Sequence, residues 1–343
     1  MMKSSILCCC LLWLASVAAP AQSRQLEIYW IDVEGGAATL IITPTGQSLL
    51  ADSGNPGSDD RDAKRIFEVA KAAGLTKIDM LLTTHFHSDH VGGAPALAKL
   101  IPIEKFYDHG DSIEMINERG AQLWEAYRPL TEGKRVIMKP GDRIPLDGLE
   151  VTVVTSNGEI VAKPATEGPQ NPYCRDALPK PMDRSENGRS LGFLLTYGKF
   201  RFLDLGDLTW DQELRLACPV NRIGRVTLFQ ATHHGFFGNS SGAPAHVWSV
   251  QPQVVVVNNG ARKGLGAEAY QTLKGIPGVE AIWQIHRATQ TDKQHNTAET
   301  MIANTEETPA ECRGHWIKAS ISQDGKFTLT NGRNNFSKTY SAK

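Results

Sequence analysis

The chain has 343 residues, enough for one large domain or two small ones. Hydrophobic residues make up 41% of it and charged residues 21%, which are ordinary proportions for a soluble globular protein. The formal net charge of −1 gives no indication of a dedicated nucleic-acid-binding surface, although it does not exclude a local basic patch.

The first 21 residues have the organisation of a secretory signal. Lys3 precedes an apolar run from Ile6 to Ala19, and the small residues of "APA" at 19–21 follow it. The run is too short to span a bilayer well, although an uncleaved anchor is the alternative. We therefore expect a mature chain of residues 22–343 that is secreted or periplasmic and has no membrane span.

The first half of the mature chain is predicted to contain six strands and three helices. The predicted strands, in chain order, are QLEIYWIDV, AATLIIT, QSLLADSG, IDMLLTT, IEKFYD and LEVTVVTS. The predicted helices are DDRDAKRIFEVAKAAG after the third strand, APALAKL after the fourth and SIEMINERGAQLWEAYRPL after the fifth. Residues of about 157–188 then hold five prolines and little periodicity. We interpret them as an inserted loop, and loops of this length are usually functional or disordered.

The second half returns to regular structure. The predicted elements, in chain order, are the hairpin SLGFLLTYGKFRFLDLGD, a helix after Thr209, the strand RVTLFQATHHG, the helix APAHVWSV, the strand PQVVVVNNG, the helix AEAYQTLKG, the strand VEAIWQIH and the hairpin WIKASISQDGKFTLT. This order predicts an α+β domain over residues 22–343, in which two sheets form a sandwich and helices cover its outer faces.

Three cysteines remain once the signal is removed: Cys174, Cys218 and Cys312. They show no C-x-x-C spacing, which argues against a cysteine zinc site. One disulfide is possible in an oxidising compartment, but the sequence does not choose the pair. Three unpaired cysteines are an equally good interpretation.

The segment "HFHSDH" concentrates three of the chain's 10 histidines in six residues, directly after a predicted buried strand. In an extended segment, His85 and His87 point to the same side and can bind one metal ion. Asp89 and His90 can serve a second ion if the chain turns there. The alternative is a histidine-rich surface loop in which Asp89 caps a helix that begins near Val91.

This segment resembles the H-x-H-x-D-H-x-G-G signature of the metallo-β-lactamase-fold hydrolases. The resemblance implies a four-layer αββα sandwich of two mixed sheets. "LLADSG" resembles the motif that places a carboxylate, here Asp52, behind a metal-binding histidine. "FRFLDLGD" resembles the motif whose aspartate, here Asp207, bridges two metals. "ATHHG" resembles the motif that gives one histidine, His233 or His234, to the second metal.

Two alternatives remain for the later motifs when they are taken alone. Asp207 could cap the helix after Thr209, and the histidine pair could simply pack at a strand end. The family's other common ligand, a histidine between the first cluster and Asp207, is missing, since His109 comes too early. Asn187 is the candidate substitute.

The closest resemblance is to the hydrolase domain of ComEC-type competence proteins, carried by "WIDVEGGAATLI" and "THHG". It implies a hydrolase that uses one or two Zn²⁺ ions, and with the N-terminal signal we expect this hydrolase to be exported. Mn²⁺ is a plausible alternative occupant because sites with open positions suit harder ions. The metal would activate a water molecule, and Asp89, Asp207 and Asp52 would be the catalytic carboxylates.

A phosphodiester or another small molecule is the expected substrate. Lactam or lactone hydrolysis at the same site is the first alternative, and a non-catalytic binding protein on this fold is the second. The predicted substrate contacts are Asn187, His109, Asn259, Arg262 and His286, and Asn258 and Lys263 lie in the same loop as two of these.

Overall fold

The structure is a computed structural model that describes residues 25–162, 169–237 and 240–343. The predicted signal at 1–21 and part of the predicted insertion lie outside these ranges. The division into a signal and one domain therefore stays a prediction. Within the described ranges, no helix combines the length and the apolarity that crossing a bilayer requires.

The described residues form two large sheets. Their strands are β1 (Leu26–Trp30), β2 (Thr39–Ile42), β3 (Ser48–Ala51), β4 (Ile78–Leu82), β5 (Ile103–Asp108), β6 (Arg135–Ile137), β7 (Arg143–Ile144), β8 (Glu150–Ser156), β9 (Glu159–Ile160), β10 (Gly192–Tyr197), β11 (Phe200–Asp204), β12 (Leu228–Gln230), β13 (Val254–Val257), β14 (Ala281–His286), β15 (Ile302–Asn304), β16 (Ile317–Ile321), β17 (Lys326–Asn331) and β18 (Ser337–Ser341).

The first sheet has the strand order β18-β17-β16-β1-β2-β3-β4-β5-β6, and the second has the order β15-β14-β13-β12-β11-β10-β8-β7 with β9 beside β8. Both sheets are mixed. In the first, β3 to β6 run parallel and the other neighbours are antiparallel. In the second, β11 to β15 run parallel. The four valines of β13 are all buried, as expected for a parallel strand covered on both faces.

Helices lie on the outer face of each sheet. They are α1 (Arg61–Ala72), α2 (Ser88–Val91), α3 (Ala94–Leu100), α4 (Glu118–Tyr127), α5 (Trp210–Ala217), α6 (Pro244–Val250) and α7 (Ala267–Lys274). The first four pack with the first sheet and the last three with the second, so each side has its own apolar cluster. The predicted α+β sandwich with its four layers is confirmed.

A third apolar cluster fills the space between the two sheets. Trp30 of the first sheet meets Phe202 of the second edge to face, with ring centroids 5.7 Å apart. Both side chains are almost fully buried, and burial of each contributes roughly 1.5–3 kcal/mol relative to an exposed position. This cluster holds the two sheets together, so the loops at their shared edge keep a fixed relative position.

One local prediction was wrong. The long helix predicted for SIEMINERGAQLWEAYRPL is shortened to α4, because Asn117 is extended and its side chain accepts a hydrogen bond from the backbone of Gly120. Such a side-chain cap starts a new helix. The last predicted hairpin is confirmed as β16 and β17, and a third strand, β18, pairs with β17.

The described part of the insertion is tied to the second sheet's helices. Cys174 forms a disulfide with Cys218, which directly follows α5, and Cys312 is free. Asn171 strengthens this attachment by donating to the carbonyls of Ala217 and Ala245. The segment around Asn171 and Cys174 is therefore fixed against α5 and α6.

Candidate metal centre

The predicted ligands all follow the carboxyl ends of strands. Asp52 follows β3 and the histidine cluster follows β4, and these two strands are parallel neighbours in the first sheet. Asp207 follows β11 and the histidine pair follows β12, which are parallel neighbours in the second. Carboxyl ends of parallel strands meet at one edge of a sheet, where ligands of α/β proteins bind.

Four of these side chains converge on one point: Asp89, His90, Asp207 and His234, hereafter the Asp89 group. The Nε2 atoms of His90 and His234 lie 3.2 Å apart. Asp207 Oδ1 is 3.3 Å from the first of these nitrogens and 3.4 Å from the second. Asp89 Oδ2 is 3.5 and 3.3 Å from the same two atoms.

The other oxygen of Asp207 faces His85 and His233. Together with Asp207 and with His87, which lies beside His85, they form the His85 group. His85 Nε2 is 3.1 Å from His87 Nδ1 and 3.9 Å from Asp207 Oδ2. His233 Nε2 is 3.4 Å from the same oxygen. Asp207 therefore stands between the two groups and gives one carboxylate oxygen to each.

The ring nitrogens in the Asp89 group fit a metal ion. His234 Nδ1 is 3.3 Å from the carbonyl of Asn258, which can only accept, so this nitrogen carries the proton. His90 Nδ1 donates in the same way to Asp52 Oδ2 at 2.7 Å. Both Nε2 atoms consequently face each other and two carboxylates, and are the atoms at which a proton or a metal ion would bind. A cation between them would satisfy all four groups.

The electrostatics of the two groups differ. Burial lowers the pKa of His90, but Asp207, Asp52 and Asp89 outweigh it and hold that pKa well above its ordinary value. Burial also opposes ionisation of Asp207, but His234, His90 and His233 hold its pKa well below the ordinary value. In the His85 group, burial and then His90 lower the pKa of His85, which favours the neutral imidazole that metals bind.

The predicted role of Asp52 has a matching contact. Its carboxylate accepts from His90 Nδ1, and it also accepts from the backbone and hydroxyl of Thr84 at 2.8 Å each. Asp52 has a φ of 63°, a left-handed conformation that is uncommon for a residue other than glycine. The backbone turns sharply here and brings the carboxylate behind the metal-binding loop.

Three of the predicted substrate contacts have hydrogen-bond partners inside the protein. His109 is buried and its Nε2 lies 2.8 Å from Glu186 Oε1. Asn259 is also buried, and its amide donates to the carbonyls of Gly260 and His286. His286 Nε2 lies 2.7 Å from Asp32 Oδ1. These interactions fix loops, and the roles of the three side chains as substrate contacts stay predictions.

His286 belongs to a separate acidic cluster with Asp32, Glu34 and Cys312. Arg65 donates to Asp32 at 2.7 Å and to Glu34 at 3.1 Å, so the positive charge that this cluster needs is already present. The cluster connects the end of β1 to α1 and to the end of β14. It acts as a structural junction between the sheets.

The two other predicted substrate contacts keep their side chains available. Arg262 is exposed and forms no ion pair with any described residue. Asn187 is partly exposed, and its Oδ1 is buried without a hydrogen-bond partner among the described residues. The roles of both residues stay predictions.

Two residues that contact the histidine cluster were not identified by the sequence analysis. Thr84 lies directly before the histidine cluster and its Oγ1 is 3.1 Å from His85 Nδ1. Glu186, at the end of the insertion, accepts from the backbone of Phe86 between His85 and His87. The threonine could have been found by its place next to the motif, whereas nothing in the sequence around Glu186 marks a contact across 100 residues.

A third side chain, Lys263, reaches the Asp89 group. Its ammonium contacts Asp89 Oδ2, while about a third of the side chain stays exposed. The sequence analysis placed Lys263 only in a loop of candidate substrate contacts. The structure brings its charge directly to a candidate metal ligand.

Comparison with known proteins agrees with this geometry. Residues 31–170 match the Metallo-beta-lactamase superfamily model. A UPF0173 metal-dependent hydrolase of Polynucleobacter asymbioticus is 24% identical over 77% of this chain and 86% of its own length. Other relatives of that name match over about a quarter of their length.

Two further similarities are more distant. Recombination protein 2 of Haemophilus influenzae is 22% identical to this chain. The match covers 68% of this chain and 24% of that protein. The metallo-beta-lactamase fold protein YhfI of Bacillus subtilis is 12% identical, with a TM-score of 0.45 over 75% of this chain and 96% of that one. The chain is therefore similar to the Metallo-beta-lactamase superfamily over residues 31–170 and to a metal-dependent hydrolase over most of its length.

Proposed function

We propose that the protein is a metal-dependent hydrolase with two adjacent ion sites. The observation that carries the proposal is the position of Asp207, whose two oxygens face two different sets of imidazoles. His90, His234 and Asp89 would hold one ion, and His85 and His87 the other, with Asp207 between them. When bound, such ions supply Lewis acidity and an activated water nucleophile.

The chain's own residues would prepare this site. Asp52 holds the proton of His90 on Nδ1, so that its other nitrogen is free to bind. Burial of His85 keeps its ring neutral at physiological pH. Lys263 places a positive charge at the exposed side of the Asp89 group, where it would attract an anionic substrate and stabilise negative charge that grows during hydrolysis.

A phosphodiester is the proposed substrate class. Lys263 and the exposed Arg262 provide two cations in one loop beside the site, a combination suited to phosphate oxygens. The similarity to Recombination protein 2 and the lack of a histidine between His109 and His233 support the same class. Zn²⁺ is the proposed ion, with Mn²⁺ as the alternative.

We also propose that the protein is exported. The pairing of Cys174 with Cys218 is typical of proteins in an oxidising compartment. The signal-like residues 1–21 point in the same direction. Detection of the mature protein in a periplasmic or culture-medium fraction would support export, and full retention in the cytosolic fraction would contradict it.

The central experiment combines metal analysis with a substrate panel. The mature protein is purified, its zinc and manganese are measured, and bis-p-nitrophenyl phosphate, a cephalosporin and a lactone are assayed. We expect about two ions per chain and hydrolysis of the phosphodiester, both lost in Asp207→Ala. Turnover of only the cephalosporin or lactone would favour the lactam or lactone alternative. A protein that binds no metal and cleaves none of them after reconstitution would overturn the enzyme proposal and favour the alternative of a non-catalytic binding protein.

A further inference from the structure

We propose that both histidines of the "HH" pair are metal ligands, and that each serves a different ion. His234 completes the Asp89 group, while His233 supplies the His85 group with the third imidazole that the sequence lacks between His109 and Asp207. This inference rests on the two-ion hydrolase proposed above and specifies its ligand set.

The backbone of the pair is arranged for this division. His233 has φ 54° and ψ 46°, and His234 has φ 54° and ψ 16°, so two consecutive non-glycine residues are left-handed. Such conformations cost of order 1–3 kcal/mol each and cluster at functional sites. The result is that neighbouring rings reach different oxygens of Asp207: His233 Nε2 lies 3.4 Å from Oδ2, and His234 Nε2 lies 3.4 Å from Oδ1.

Two serines fix the proton of His233 on the nitrogen that faces away from Asp207. His233 Nδ1 is 3.1 Å from Ser241 Oγ and 3.2 Å from Ser240 Oγ. Ser241 donates its own hydroxyl proton to the carbonyl of Leu208 and Ser240 to that of Phe236. Both serines must therefore accept from Nδ1, which leaves the lone pair of His233 on Nε2, towards Asp207.

The same lone-pair arrangement holds for the other imidazole nearest to Asp207 Oδ2. Thr84 donates to Asp52, so its oxygen accepts from His85 Nδ1 and the lone pair of His85 lies on Nε2. Nε2 of His85 and Nε2 of His233 thus both face Oδ2, at 3.9 and 3.4 Å. A histidine that merely packed at a strand end would not need its proton fixed in this direction.

The test measures ion stoichiometry and affinity by calorimetric titration of the mature, metal-free protein with Zn²⁺. Alanine is strained at φ 54°, so His233→Gly, which tolerates that backbone, accompanies His233→Ala. His295→Ala, at a histidine that bonds Gln271 and Asp292, is the matched control for loss of an imidazole. Thermal unfolding checks that every variant is folded.

We expect the wild type and His295→Ala to bind two ions per chain. Both His233 variants should bind one of them at least about 10-fold more weakly. The weakened ion should be the one lost in His87→Ala, so a protein that carries both a His233 substitution and His87→Ala should still bind one ion. A protein that carries both a His233 substitution and His234→Ala should bind neither ion tightly.

Two results would overturn the inference and leave the hydrolase proposal intact: two ions bound by His233→Gly with wild-type affinity, or loss of the same ion in Asn187→Ala but not in His233→Gly. The second result would assign the third position to Asn187. A wild type that binds no ion would overturn both this inference and the proposed function.

Discussion

Thr84 donates its hydroxyl to Asp52 Oδ2 at 2.8 Å, and the same carboxylate oxygen lies 2.7 Å from His90 Nδ1. Because the oxygen of Thr84 is also 3.1 Å from His85 Nδ1, one buried carboxylate orients a histidine in each candidate ion site. It acts on His90 directly and on His85 through the threonine. Loss of the hydroxyl should therefore affect only one of the two sites.

Thr84→Val keeps the shape of the side chain and removes the hydroxyl through which Asp52 acts on His85, hereafter the relay. We expect the ion at the His85 group to bind about 10- to 100-fold more weakly, as is typical when an outer partner of a metal-binding histidine is lost. The ion at the Asp89 group should be much less affected. Metal titration against a competing chelator measures both affinities.

Thr84→Ser, which retains the hydroxyl, should restore most of the lost affinity. Thr83→Val makes the same substitution one residue earlier, where the hydroxyl oxygen has no hydrogen-bond partner among the described residues. Equal weakening by both valine variants would indicate a general packing effect and would contradict the relay.

Lys263 should distinguish anionic from neutral substrates. In Lys263→Met the charge beside Asp89 is removed, so KM for a phosphodiester should rise roughly 10-fold, which corresponds to about 1.4 kcal/mol, with less change for a neutral lactone. The ion at the Asp89 group should bind more tightly, because the carboxylate loses a competing cation. Steady-state kinetics on both substrates and metal titration measure these changes.

Arg262→Met, at the exposed neighbour, is the control for general loss of positive charge. It should raise KM for the phosphodiester less than Lys263→Met and leave metal affinity unchanged. If KM for the lactone rose as much as KM for the phosphodiester, the proposed preference for an anionic substrate would be wrong.

Glu186 should connect the insertion to the metal-binding loop. Its carboxylate accepts from the backbone of Phe86, the ring of His109 and the backbone of Ile113. Glu186→Gln places a donor where only acceptors fit, so we expect a loss of about 1–3 kcal/mol in the free energy of unfolding. The His85 group should also bind its ion more weakly. Urea unfolding and metal titration test both effects.

The exposed Glu132 provides the comparison, since Glu132→Gln should change neither quantity. A Glu186→Gln protein with wild-type metal affinity but lowered stability would show that Glu186 supports the fold without positioning the ligands.

His246 should make the protein sensitive to acid. It is fully buried with neither ring nitrogen bonded to a described residue, and burial lowers its pKa to about 4. Between pH 6.5 and about 4, His246 binds a proton in the unfolded chain but not in the folded protein, so stability is lost as the pH falls. The shift corresponds to about 3 kcal/mol.

His246→Leu should therefore lose less stability than the wild type over this range. Urea unfolding of both metal-free proteins at pH 7, 6, 5 and 4 measures the difference in their free energies of unfolding. The other titrating groups contribute equally in both proteins and cancel in this difference. Parallel loss of stability in the two proteins would mean that His246 does not set the acid sensitivity.

The order of elements and the metal-binding loop could be predicted because both follow local patterns. The alternation of β1 and the buried valines of β13 are visible in the sequence, and His85 to His90 lie in one short segment. Asn117 shows the limit of such patterns: periodicity alone predicted a helix across it, whereas its side-chain cap starts a new one.

Contacts between distant segments were less accessible. Asn259, His109 and His286 are polar residues near predicted strand ends, the positions where substrate contacts are expected, yet each is used to fix a loop. The partner of His109 is Glu186, 77 residues away. No periodicity or motif encodes such a pairing, because it depends on where the insertion returns to the sheet.

The left-handed backbone at His233 lowers the stability of the fold at a residue that we propose as a metal ligand. Glycine at this position would relieve the strain, so the metal-free His233→Gly protein should be more stable than His233→Ala despite lacking the same imidazole. A selection for thermal stability alone would then favour loss of the histidine, and a selection for activity would restore it. Sequence drift at residue 233 in laboratory evolution would thus report directly whether the metal site is in use.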